Sequence, residues 1–395
     1  MPTREYAAVQ FLAFADQASR IVCGLTDGSI LLYNASGDAL VGRVAPPAAG
    51  VHLTDVIPNP GDRSELCLAI YASGPAAASG GSCHLLDVRS GSWVASMPES
   101  GVTSAAWSTK GKQLVLGLRT GELVQCTIEG EAKARLAPPP DADRPLLVED
   151  VRWLENHVFI ATYNTVSEET VHEYDVFVVL RDPKSQACTY AAFPLDVAPP
   201  FGDVERAGRR YIAALRAWDR EKHLVFMANT PSTDVGVLDC KADASGPSAW
   251  NALELEDTSR PALPFSSTDD ASDTAPIGLE FDLTATDPVD DPNAAAKGED
   301  TSTKLPAMPI LLVYTNDGVL LAYHVINTDT SEPYPGMETP GAGPSPSDST
   351  PAAGQPSTAT PQAASAAPAR CRCRSRSIPS VPWRRPRRIA RCCLA

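Results

Sequence analysis

Side chains that do covalent or metal chemistry are thinly spread along this 395-residue chain. The six histidines, His52, His84, His157, His172, His223 and His324, occur singly and never four residues apart. His172-Glu173 lacks the second histidine of a zinc-protease helix. Gly111-Lys112 is followed by Gln113 where a phosphate-binding loop needs Ser or Thr, and no Gly-x-Ser-x-Gly elbow presents a serine nucleophile. Catalytic groups can converge from distant segments, yet nothing local points to an enzyme, and neither a metal nor a cofactor is expected. Cys23, Cys67, Cys83, Cys126, Cys188 and Cys240 stand one at a time in or beside apolar segments, with no Cys-x-x-Cys pair. They are expected to be reduced thiols packed as small hydrophobes. The other four, Cys371, Cys373, Cys392 and Cys393, sit near the end of the chain.

What the chain offers instead is negative charge. The formal net charge is −15, and the nine arginines of residues 370–395, unaccompanied by acids, mask a body that stands nine units lower, at −24 over residues 1–369. Such a body is repelled by phosphate backbones and drawn to basic protein surfaces, so direct nucleic-acid binding is not expected of it; solubility alone is the bland alternative. Acids are densest in residues 256–304, where twelve face only Arg260, Lys297 and Lys304. The candidate contacts are Glu254, Glu256 and Asp257 at the start of this stretch and Asp269, Asp270 and Asp273 within it. A second choice is Glu168, Glu169 and Glu173, in the polar loop 164–173. Arg260 either answers an acid on a partner or closes a salt bridge inside its own loop. Long loops on rigid scaffolds are where partners bind, whereas a solvated loop of no consequence is the competing reading. That competitor is weaker at the start, where Trp250, Leu253 and Leu255 alternate with polar residues.

The elements that must position these acids repeat. Residues 102–128, VTSAAWSTKGKQLVLGLRTGELVQCTI, read as three short strands joined by tight turns at Thr109-Lys110-Gly111 and Thr120-Gly121. The first unit carries the same pattern, with Phe14 fourteen positions before Gly28 as Trp107 is before Gly121. Further units open near residues 53, 148, 211 and 277, and the last contains the hairpin signal Asn316-Asp317-Gly318. Six units of about 40–50 residues, each supplying three or four strands with almost no helical periodicity, specify an all-β chain folded as a β-propeller. The domain is expected to span residues 1–332. A sevenfold ring lacking its first blade is the preferred reading, with a six-blade ring as the alternative. Unpaired strand edges at a gap would make the chain prone to aggregation.

Residues 333–369 are rich in Pro, Ala, Ser, Thr and Gly and read as a disordered linker. Residues 370–395, the basic tail, show no strand alternation. They suit an RNA-binding or nuclear-localisation arm, but the abrupt change of composition suits an unspliced intron or a shifted reading frame at least as well, and that reading is preferred. No apolar run approaches the ~20 residues that cross a bilayer, and the first residues lack a signal-peptide layout, so an intracellular protein without membrane contact is expected.

Four segments carry a resemblance. VTSAAWSTKGKQLVLGLRTGELVQ, WNALELEDTSRPAL at 250–263, PIGLEFDLT at 276–284 and LLVYTNDGVLLAYHVIN at 311–327 together resemble the N-terminal propeller of the large FG-nucleoporin on the cytoplasmic side of the nuclear pore. The resemblance covers residues 10–330 and implies a seven-bladed, non-enzymatic scaffold in the nucleus, at the nuclear pore complex. It further implies that other nucleoporins are partners, and that the domain docks the DEAD-box RNA helicase of messenger RNA export, whose basic RNA-gripping surface the acids would attract. Two features depart from the family pattern: no counterpart of the first blade precedes unit one, and no Phe-Gly repeats follow the linker. A generic interaction scaffold in another assembly is the alternative.

Overall fold

The computed structural model describes residues 8–37, 39–74, 81–140, 145–165, 174–193, 197–199, 209–241, 250–267, 273–292, 294, 304–328, 330, 332–338 and, for the backbone, 389–394. Regular structure among them is all strand. Blade I comprises β1 (Val9–Ala15), β2 (Arg20–Leu25), β3 (Ile30–Asn34) and β4 (Leu40–Val44). Blade II comprises β5 (His52–Pro58), β6 (Leu66–Ala72), β7 (Gly81–Asp87) and β8 (Ser92–Ser96), and blade III β9 (Val102–Trp107), β10 (Gln113–Leu118), β11 (Leu123–Thr127) and β12 (Ala132–Leu136). Blade IV holds β13 (Leu146–Glu155), β14 (Val158–Thr165), β15 (Tyr174–Arg181) and β16 (Cys188–Ala192); blade V holds β17 (Arg210–Trp218), β18 (Glu221–Asn229), β19 (Val235–Lys241) and β20 (Trp250–Leu253). Blade VI starts with β21 (Pro276–Asp282). After the small ribbon β22 (Val289–Asp290) and β23 (Lys304–Leu305), it continues with β24 (Ile310–Thr315) and β25 (Leu320–Asn327). Blades I to V are antiparallel meanders in chain order.

The turn residues explain why the repeat was visible. Gly121 and Gly318 adopt φ of 80° and 74°, a left-handed conformation that costs glycine nothing and lets each three-residue turn reverse the chain.

Five apolar clusters glue neighbouring blades face to face. Val22, Ile30 and Leu32 of blade I meet Leu53, Cys67 and Tyr71 of blade II. Leu68 and Leu85 meet Trp107 and Leu116; Val115 and Leu123 meet Val148 and Phe159; Ile160 and Val178 meet Val225 and Leu238; Phe226 and Val237 meet Leu311 and Val325. A propeller blade has two faces and needs a neighbour on each. Among the described residues no apolar cluster joins blade VI to blade I.

Three sequence expectations change. The acidic stretch 256–304 is not one insertion: residues 254–275 connect blade V to blade VI, whereas 283–309 interrupt blade VI after β21. Packing runs past residue 332. Tyr334 is buried, its ring meets Trp218 edge-on at 5.5 Å, and the Glu338 N–H donates to the Leu283 carbonyl at 2.8 Å. Finally, the tail was expected to hold no strand, but β26 (Ile389–Leu394) lies parallel to β25, with Ala322 opposite Ile389 and Asn327 opposite Leu394. It takes the fourth position of blade VI.

Candidate docking surface

Meander topology sorts the loops between the two rims of the propeller. The turn from a blade's second strand to its third, and the connection from its fourth strand to the next blade, share one rim; the other turns share the opposite rim. The described parts of the 254–275 connector therefore lie on the first of these rims. The second-choice acids Glu168, Glu169 and Glu173 belong to the β14–β15 loop. Those three glutamates, with Asp269 and Asp270, fall outside the described residues.

The start of the connector is fixed in place. The Glu256 carbonyl accepts from the Ser259 and Arg260 N–H groups at 2.8 and 2.9 Å, closing a tight turn. Arg260 Nη1 binds Asp234 Oδ2 at 3.0 Å and its Nη2 binds Asp257. Those two carboxylates, Asp234 foremost, raise the pKa of the guanidinium. Beyond the turn the backbone joins blade V, through Val235 N–H to the Pro261 carbonyl (3.1 Å) and Leu263 N–H to the Thr233 carbonyl (2.7 Å). Blade VI holds it from the other side, where Tyr323 Oη donates to the Ala262 carbonyl at 2.6 Å. Leu263 is buried beneath.

A short hairpin stem follows, bridged at Phe265 and Asp273. It is anchored to the β24–β25 turn by Asp317, which accepts from Ser266 Oγ at 2.9 Å and Ser267 N–H at 2.7 Å. These donors, the Ser267 N–H first, hold the Asp317 carboxyl below the usual range. Phe265 is 72% exposed on this stem.

Glu254, Glu256 and Asp257 are thus exposed on a fixed segment, beside an exposed aromatic ring. Asp273 is half-buried in the stem. Arg260 serves as the internal latch, the structural alternative raised from sequence. Other arginines of this rim are also engaged: Arg43 with Asp27 at 2.6 Å, Arg135 with Glu99 at 2.6 Å and Glu122 at 3.2 Å, and Arg209 with Asp55 at 3.5 Å. Their positive charge is spent on neighbours, which leaves the acids of the connector to set the sign of the local field. Sequence reasoning missed Phe265, Asp234 and Asp317. Asp317 was read only as a turn residue, and no pattern distinguishes an exposed Phe from a buried one.

The opposite rim has a different character. A shallow depression there is lined by Thr109, Leu154, Glu155, Asn156, His157 and Arg216. Beside it Glu155 Oε1 binds His223 Nε2 at 2.6 Å and Lys222 Nζ at 2.9 Å, and the His223 ring stacks on Trp250 at 5.5 Å. The two Glu155 pairs stitch blade IV to blade V. Among the described residues no three His, Cys, Asp or Glu side chains converge to hold a metal, and no helix is long and apolar enough to cross a membrane.

Comparison with known proteins agrees with this architecture. The chain is 35% identical over 246 residues to nucleoporin nup146 of Schizosaccharomyces pombe, covering 60% of this chain and 18% of that protein. It is 32% identical over 229 residues to the human nuclear pore complex protein Nup214, covering 57% of this chain and 10% of that one. The chain thus corresponds to less than a fifth of the length of these relatives. A crystal structure of the N-terminal domain of Nup159 superposes with a TM-score of 0.55 at 17% identity, over 78% of this chain and 74% of that one, which supports the fold. The family model described as the NUP159/214 beta propeller matches residues 2–320, and the chain belongs to that family.

Proposed function

We propose that this propeller is a non-enzymatic docking scaffold of a nucleoporin, placed at the nuclear pore complex on its cytoplasmic side, that binds a DEAD-box RNA helicase in messenger RNA export. Other nucleoporins are the further partners. The family supports the location and the partner class, and the acidic rim supports the choice of contact surface. A helicase of this class grips RNA phosphates with basic side chains, and an acidic, rigid surface is complementary to such a patch.

The observation that carries the reading is the fixed connector, which holds Glu254, Glu256 and Asp257 in solvent beside Phe265 while latching Arg260 inward. Charges steer the encounter, and the aromatic ring supplies an anchor that water leaves on contact. Affinity purification of the tagged chain from cells that express its natural partners tests the reading. An ATP-dependent RNA helicase should co-purify at 0.1 M salt and be lost progressively as salt rises. Recovery of nucleoporins without any helicase would refute helicase docking.

A further inference from the structure

The depression on the rim opposite the connector gathers polar groups from three blades. Thr109 comes from the β9–β10 turn of blade III, Glu155, Asn156 and His157 from the β13–β14 reversal of blade IV, and Arg216 from β17 of blade V. Its volume is about 490 Å³, within the ~300–1,000 Å³ range of small-ligand sites. The arginines here differ from those of the connector rim. Arg43, Arg135, Arg209 and Arg260 pair with carboxylates. Among the described residues no carboxylate closes an ion pair with Arg216 or Arg181. Arg216 Nη2 donates to the Trp153 carbonyl at 3.3 Å, while its Nε is buried with no acceptor. Burial lowers the pKa of this guanidinium, with Tyr334 and Glu155 offsetting only part of the effect. Arg181 Nη2 reaches His157 Nδ1 at 3.3 Å, and its Nε is likewise buried without an acceptor. A neutral imidazole that accepts at Nδ1 keeps its proton on Nε2, so His157 is a donor at its other edge. Glu155 is the one acid of the lining, and its Oε1 is engaged by Lys222 Nζ and His223 Nε2. Lys110 and Lys112, exposed on the blade III turn, add positive charge next to Thr109.

We propose that this depression binds a phosphate monoester, held by Arg216, His157, Asn156 and Thr109. Four donor groups suit an anion with three acceptor oxygens better than a planar carboxylate with two. Arg216 supplies the charge. A half-buried guanidinium without an acid of its own gains more from an approaching anion than an exposed one does, because the surrounding dielectric is lower and no carboxylate competes. The body as a whole, at −24 over residues 1–369, repels anions, so the site is local and weak and its affinity should fall as salt rises. A free phosphorylated compound and a phosphorylated side chain on a partner present the same group, and experiment separates them. None of the connector acids takes part, so the site stands or falls apart from helicase docking.

Titration calorimetry of the full chain with inorganic phosphate, at pH 7.5 and low salt, tests the proposal. Expected is one site with a Kd on the order of 1 mM, and acetate weaker by at least about tenfold. Arg216→Gln should raise the phosphate Kd at least about tenfold with an unchanged circular dichroism spectrum. Should that variant misfold, His157→Ala should raise the Kd by about threefold or more. Arg43→Gln, on the connector rim, should leave it unchanged. A short phosphoserine peptide that binds at least about tenfold tighter than inorganic phosphate assigns the source to a protein side chain. Equal or weaker binding of that peptide assigns it to a free compound, and either result supports the site. Absence of any heat up to roughly 20 mM phosphate, well above the expected Kd, overturns the proposal. Acetate binding as tightly as phosphate, or an unchanged Kd in either folded variant, overturns it as well.

Discussion

Reversing Glu254 and Glu256 to Lys isolates the electrostatic part of docking, because both side chains are exposed and neither belongs to the Arg260 latch with Asp234 and Asp257. A carboxylate about 5 Å from a partner cation in water contributes ~0.8 kcal/mol before screening, and roughly half of that at 0.15 M salt, where the screening length is about 8 Å. Reversal removes this attraction and introduces an equal repulsion, so two sites sum to about 1.8 kcal/mol, close to a twentyfold rise in Kd. At 1 M salt the screening length falls to about 3 Å and the same sum shrinks to ~0.6 kcal/mol, near threefold. Titration calorimetry of Glu254→Lys/Glu256→Lys against the helicase at both salt concentrations reads the two numbers, with circular dichroism as the folding control. A folded variant that binds like the parent at 0.15 M refutes the assignment of the contact to this connector.

Three further outcomes follow from the packing. Tyr334→Ala should destabilise the propeller by about 3 kcal/mol in denaturant unfolding, since it removes a buried ring from Trp218 and an acceptor from the Arg216 N–H; an unchanged midpoint would show that the domain ends earlier. Burial lowers the pKa of His223 below 6.5 despite its bond to Glu155, so the unfolded chain binds a proton that the folded chain resists as pH falls below that value. The melting temperature should therefore drop from pH 7.5 to pH 5.5, by less in His223→Gln than in the parent, with His84 supplying part of the remainder because burial lowers it too; equal slopes would contradict this. Burial pushes the Cys83 thiol up to about 12 and Cys126 to about 11, and Cys67 is raised as well. Alkylation at pH 8 followed by peptide mass spectrometry should spare all three in the folded protein and label them after unfolding.

The sequence was most legible where local chemistry and global packing agree. Thr120-Gly121 and Asp317-Gly318 announce their turns because a left-handed backbone needs glycine, and the apolar runs between them became strands with boundaries close to those expected. The cysteines read as core residues because they sit within those runs, and Cys23, Cys67, Cys83, Cys126 and Cys240 are buried. Illegible were features that depend on contacts between blades. Nothing adjacent to Arg260 reveals that Asp234, on the loop before β19, will claim it. Tyr334 lies in a stretch whose Pro and Gly content suggested a linker, and only the pocket beside Trp218 gives it a place in the core. Phe14 and Trp107 look equivalent in the repeat, yet Phe14 is 63% exposed and Trp107 5%, a difference that no local pattern announces.

Displacement of RNA from the helicase tests helicase docking most directly. A fluorescently labelled single-stranded RNA bound to the purified DEAD-box helicase is titrated with this chain at 0.15 M salt, and anisotropy is followed. The account predicts that the propeller releases the RNA, that its half-point tracks the calorimetric Kd, and that Glu254→Lys/Glu256→Lys shifts it by about twentyfold. Anisotropy that stays constant while calorimetry shows no heat of binding would contradict it.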